Sequence, residues 1–274
     1  MRRVWFIVGA ILIFLGVLAI INALLAAAGI HFRVGWIFWP VVLIALGLWL
    51  VTGFRFWRGG VSDIPREQVS LPLEGATEAE ITVRHGAGRL SVSAGAAADQ
   101  LLSGSFGGGL DAARHRENGR AVVDMRVRER DISSYFPPWR HRWGGMLDWD
   151  FTLNRQIPLS LRFETGASES RISLGDLQVK EIALKTGASS TTVDLPASAG
   201  FTRMHVESGA AAVKIRVPQG VAAFIQVRSA LAGVHVDHGR FPSAAGGYRS
   251  PEWEHATNKV EIFVSTGVGS IDVY

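Results

Sequence analysis

Cysteine is absent from all 274 residues, which removes disulfides, thiolate metal sites and thiol nucleophiles together. Acid is absent from the first 54 residues, where Arg2, Arg3 and Arg33 are the charged side chains. Beyond them the chain lacks charge of one sign, since 25 basic residues face 24 acidic ones from residue 55 onward. The net charge of +4 is therefore a feature of the amino-terminal part. A nucleic-acid binder needs a basic field over its globular part, so nucleic acid is not an expected partner. The 31 glycines follow no G-X-Y period, which excludes collagen.

What is abundant is apolar sequence: 48% of residues are hydrophobic and the mean hydropathy is +0.21. Val4 to Ile30 and Val34 to Phe54 each run without a charge. Each is long enough for a bilayer-spanning helix, which needs about 20 apolar residues. The link "HFR" is short, so residues 1–58 are expected to form a two-helix transmembrane hairpin. Trp36, Trp39 and Trp57 fall at headgroup positions, and Pro40 falls in a first helical turn. Gly9 and Gly16 share one helix face, and Asn22 is the strongly polar side chain within the runs. A signal peptide with Ala26-x-Ala28 as cleavage site is the alternative; the length of the first run and the second run behind it favour the uncleaved hairpin. Arg2 and Arg3 before the first run, and Arg55 and Arg58 after the second, place both ends in the cytoplasm by the positive-inside rule.

The remainder repeats. Gly86, Gly166, Gly187, Gly209, Ala230 and Gly267 align as corners. Five residues before each stand Ile81, Leu161, Ile182, Met204, Ile225 and Ile262; six after stand Val92, Ile172, Val193, Ile215, Val236 and Val273. Intervening residues are mostly polar, which is the period of a strand with one buried face. Two short strands cannot bury that face alone, and a fixed period means a stack. The expected fold class is a membrane α-hairpin plus an all-β domain, a β-solenoid of rungs about 21–22 residues long. The expected domains are the hairpin at 1–58, a linker at 59–78, the first β rungs with a strand and loop insertion at 79–159, and solenoid repeats at 160–274. Glycine at the corners is expected to supply positive φ and close stacking. The last strand, ending "SIDVY", is expected to be the end rung.

Several stretches resemble a known family. "WPVVLIALGLWL" looks like the second span of LiaI/LiaF-type membrane hairpins. The stretch from Asp148 to Pro196, with its W-x-h-x-L-N, I-P-L-x-L, G-D-L and L-P elements, resembles the toast-rack β domain of LiaF-like proteins. The resemblance implies a bacterial cytoplasmic-membrane protein of the response to envelope stress and wall-active antibiotics. It also implies a link to a membrane sensor kinase, although two apparent spans stand here where four are expected of the best-known member.

Candidates for chemistry are few. His235, Asp237 and His238 lie close together in "VHVDHG" without a third convincing ligand, so they read as solvated strand-end residues and no metal is expected. "SFGGGL" lacks a phosphate-cradle spacing, and the serine of "GASES" varies between corners, which makes it structural. The strongest interaction candidate is the loop carrying Tyr135, Phe136, Trp139, Arg140, Arg142 and Trp143, which suits a protein partner, a membrane surface or a cap over the solenoid core. No cofactor and no small-molecule substrate is expected. The expected partners are the lipid bilayer and either a membrane protein or a second copy. The expected function is non-catalytic, a membrane-anchored interaction or regulatory protein of the envelope-stress response. A self-associating solenoid scaffold is the alternative, and a carbohydrate-active β-helix enzyme ranks below both.

Overall fold

Alternation dictates the basic element. In Glu80-Ile81-Thr82-Val83 every second side chain is aliphatic and buried, so the segment is a strand with one dry face. The computed structural model describes residues 66–128 and 147–274, and among these it forms fourteen strands and no helix. In chain order they are β1 (Glu67–Pro72), β2 (Glu78–Ala94), β3 (Gln100–Phe106), β4 (Leu110–Glu117) and β5 (Arg120–Val127). There follow β6 (Trp149–Leu153), β7 (Leu159–Ser173), β8 (Val179–Thr186), β9 (Ser190–Asp194) and β10 (Phe201–Arg216). The last are β11 (Ala222–Val236), β12 (Ser243–Ala244), β13 (Gly247–Arg249) and β14 (Lys259–Val273).

The chain divides into two compact units between Val61 and Ser62, and the described residues belong to the second. Its body is a stack of six rungs. β2, β7, β10, β11 and β14 each run as one strand, bend at a small residue and run on; β8 and β9 are the two legs of a sixth, parted at Gly187. Neighbouring rungs are parallel, in the order β2, β7, β8 with β9, β10, β14, β11. Ile81, Leu161, Ile182, Met204, Ile262 and Ile225 therefore lie over one another in a single buried ladder. On the second leg Val92, Ile172, Val193, Ile215, Val273 and Val236 form another. Burial of each such aliphatic contributes on the order of 1.5–3 kcal/mol relative to exposure. Leu174, Leu177, Leu195 and Val217 on the connectors between rungs are buried as well.

The strands β1 and β3 to β6 build the β2 end. β5 lies parallel on the first leg of β2 with β4 antiparallel beyond it. β6 lies parallel on the second leg, followed by β3 and β1, both antiparallel. Trp149, Phe106 and Phe151 fill the space this creates, with the Phe106 ring edge-on to Trp149 at 5.2 Å between centroids. The Trp149 indole donates to the Gly107 carbonyl at 3.1 Å. Asn154 is buried, and its amide donates to the carbonyls of Ala97, Ala98 and Gln100 while its oxygen accepts from the Gln156 amide at 2.8 Å. The Trp and Asn of the W-x-h-x-L-N element thus each satisfy backbone groups that burial would otherwise orphan.

Three expectations need correction. The class expected from the sequence, a membrane α-hairpin plus an all-β domain, is replaced by all-β: the described residues hold no helix, and hence none long and apolar enough to cross a membrane. The apolar stretches within residues 1–58 lie outside the described residues. Second, the carboxy-terminal strand is not the end rung. β14 is inserted between β10 and β11, and β11 closes the stack. Third, positive φ does not fall on the corners. Gly88 and Gly269, two residues beyond their corners, carry it at 111° and 132°. The corner glycines answer to close approach: a Cβ on Gly166 would lie 2.3 Å from the Gly86 carbonyl oxygen, and one on Gly267 would lie 2.8 Å from that of Gly209.

Candidate functional site

Because all corners stack, the residues before them form columns, and the columns line a groove of about 1040 Å³ along the stack. Its floor is the column of corner glycines. Beside the floor stand His85, Thr165, Thr186, Ser208 and Thr266, one residue before each corner, on the parity that faces inward. Along the rim stand Arg84, Glu164, Lys185, Glu207 and Ser265, two residues before each corner.

These polar groups are engaged with one another. The Thr165 hydroxyl donates to that of Thr186 at 3.0 Å, and Thr186 in turn shares a short hydrogen bond with Ser189. Ser208 donates to Thr266 at 2.8 Å. On the rim Arg84 bridges Asp124 at 3.0 Å and Glu164 at 3.2 Å, and Lys185 meets Glu207 at 3.0 Å. The rim pairs are about half exposed, so each contributes little to stability. No hydroxyl of the column has a histidine or lysine as hydrogen-bond partner among the described residues, which is the pairing that activates a nucleophile.

His85 ends the hydroxyl column and differs from it. Its Nε2 lies 2.6 Å from the Leu147 carbonyl oxygen, and a carbonyl only accepts, so Nε2 carries the proton. The ring packs against Trp149 at 5.3 Å. Nδ1 is buried without a partner among the described residues. Burial holds the imidazole below its ordinary range, against the opposing pull of the Leu147 carbonyl and of Asp148. His85 is thus neutral, a piece of the cap.

The two ends of the stack differ. At the β2 end the border strands are β1, which closes on Pro72, and β4, which carries Asp111, Arg114, His115, Arg116 and Glu117. Charge and proline blunt strand edges. At the other end the hairpin of β12 and β13 covers the first leg of β11 through Phe224 and Ile225. The second leg has β14 on one side and no strand on the other among the described residues. Its residues from Ala230 to Val236 read "ALAGVHV", without Asp, Glu, Lys, Arg or Pro. Along the row just after the corners the side chains are Ala87, Ala167, Ala188 and Ala210, then Val268 on β14 and Leu231 on β11. These last two are 53% and 80% exposed, so apolar size grows where cover ends.

The six residues singled out in the aromatic loop, Tyr135, Phe136, Trp139, Arg140, Arg142 and Trp143, lie outside the described residues. His235, Asp237 and His238 do not converge: Asp237 accepts from the Gly239 amide at 3.0 Å, and His238 packs edge-on to Tyr248. Sequence reasoning missed the open leg of β11. The signal was there in the change from Ala to Val and Leu after the last two corners, but it needed the true order of rungs to be read.

Residues 61–216, more than half of the chain, match the family described as the N-terminal domain of toast_rack, DUF2154. No curated protein matches. Among solved structures, a "putative cell adhesion protein" from Clostridium sporogenes ATCC 15579 superimposes with a TM-score of 0.65. The two are 16% identical, and the match covers 76% of this chain and 97% of that one, so the likeness is one of fold.

Proposed function

Given that the chain belongs to the toast_rack N-terminal domain family, we propose that it is a non-catalytic interaction protein of the bacterial cell envelope, acting in the response to envelope stress. One observation carries this reading. The groove, where a substrate would sit, has its hydroxyls and rim charges bonded to one another, whereas the second leg of β11 leaves its outer backbone edge without a strand among the described residues. Such an arrangement suits docking rather than turnover. The resemblance of Asp148 to Pro196 to LiaF-like proteins supports the envelope-stress assignment. We place the chain at the cytoplasmic membrane, a placement that rests on the same resemblance to LiaF-like proteins. Modulation of a membrane sensor kinase is the finer form of the same reading.

The test is genetic. Deleting the gene in its host should alter growth inhibition by a wall-active antibiotic, and the full chain supplied in trans should restore it. Unchanged susceptibility across several wall-active compounds would remove the envelope-stress role.

A further inference from the structure

The open leg of β11 calls for an occupant, and we propose that it is the same leg of a second copy, paired antiparallel about a two-fold axis. This deepens the interaction reading above and rests on it.

Edge chemistry excludes the other pairings. Head-to-tail stacking would set β11 against β1 or β4 of the next copy, where Pro72 and the Arg114–Glu117 run oppose pairing. Tail-to-tail pairing meets no such obstacle, because the segment from Ala230 to Val236 holds neither charge of Asp, Glu, Lys or Arg nor proline. The same leg taken twice also closes by symmetry and leaves no new open edge.

The faces of two such legs are complementary. In β11 the side chains of Ala232, Val234 and Val236 share the parity that continues the inward ladders, and Leu231 and His235 share the other. An antiparallel pair about a two-fold axis sets residues of one parity opposite one another. The inward row is then extended by a small apolar row, and Leu231, 80% exposed, gains an apolar neighbour.

Charge favours the same pairing. In the rim column each cation meets a carboxylate, Arg84 with Glu164 and Lys185 with Glu207, up to the last rung. There Arg228 is exposed and has no ion pair among the described residues. Arg228 lies two residues before the corner of β11, and Asp237 follows the far end of its second leg. Antiparallel pairing brings Arg228 of each copy beside Asp237 of the other, so two ion pairs flank the apolar centre. A pairing this short belongs among the small interfaces, and the dimer is weak and in exchange with monomer.

The absence of cysteine makes the test direct. Single-cysteine variants Ala230→Cys, Ala232→Cys and Val234→Cys of the full chain are expressed in cells, oxidised and separated without reductant. A disulfide needs Cα atoms within about 7 Å, so only positions beside the two-fold axis can join to themselves. The expected result is a linked dimer that peaks at one of the three and is absent from Ser70→Cys on β1. Adding Leu231→Asp to the peak variant abolishes the dimer. Adding Arg228→Glu lowers it several-fold, and Arg228→Glu with Asp237→Arg restores it. Circular dichroism melting of each variant separates loss of pairing from loss of fold. No dimer at any of the three, equal dimer at Ser70→Cys, or linkage to a different protein instead of a second copy would overturn the proposal. If the dimer fails while the full chain still restores the antibiotic response, the interaction reading stands and self-pairing alone is lost.

Discussion

The two ends of the stack begin from the same rung pattern and finish in opposite ways. At the β2 end five further strands, β1 and β3 to β6, bring Trp149, Phe106 and Phe151 over the ladders and leave borders rich in charge. At the β11 end a short hairpin covers one leg and the other stays bare among the described residues, with Leu231 and Val268 facing outward. A solenoid offers the same backbone edge at both ends, so the difference is one of side chains and insertions rather than of rung geometry. The lesson is that stability and recognition are separated along the stack. The closed end carries aromatic packing, and the open end carries little that the fold needs.

That contrast can be tested most severely at the closed end. Trp149→Ala removes the largest fully buried side chain and orphans the Gly107 carbonyl, and should cost about 3–5 kcal/mol in denaturant unfolding. A loss near zero would mean the cap is not part of the core. The next effect lies along the corners, where cost should follow the room for a Cβ. Gly166→Ala meets the Gly86 carbonyl oxygen at 2.3 Å and should cost roughly 1–3 kcal/mol. Gly209→Ala finds the Gly187 oxygen at 3.4 Å, so it should cost less than Gly166→Ala; equal costs would show that the corners do not stack tightly at the β2 end.

A smaller effect should appear with pH. The His85 imidazole is held below its ordinary value of 6.5 by burial. The unfolded chain then binds the proton more readily than the folded one, so stability is full above about 6.5 and falls as pH drops from there toward the lowered folded value. His85→Gln should flatten the melting temperature between pH 7 and 5.5; an unchanged slope would assign the dependence to other groups. The smallest effect belongs to the open end. Leu231→Asp should change stability by no more than about 0.5 kcal/mol, and a larger loss would mean that this end is covered in the monomer.

Much of the rung was legible in the residues. Ile81, Leu161, Ile182 and Met204 share one ladder because strand parity is fixed by a period of two, and the corner glycines mark where each rung bends. The W-x-h-x-L-N element was visible as a motif, but its work was not: Trp149 and Asn154 bind carbonyls far off in sequence. The site was less legible still. The aromatic loop drew attention by composition, whereas the open leg of β11 is the plain run "ALAGVHV", whose meaning depends on having no neighbouring strand among the described residues.

The sequence by itself determined the strand period, the corner spacing and which side chains face inward, because these follow from the chain's own stereochemistry and from the exclusion of apolar groups from water. Only the tertiary structure decided the order of the rungs. Ile225 follows Met204 at the repeat distance and could have stacked on it directly, yet Ile262 of β14 lies between them. Every rung offers the same alternating apolar ladder and the same parallel hydrogen-bonding edge, so local sequence cannot tell one neighbour from another. The choice rests on how the whole stack buries its ends, and that choice put β11, with its bare second leg, at the border.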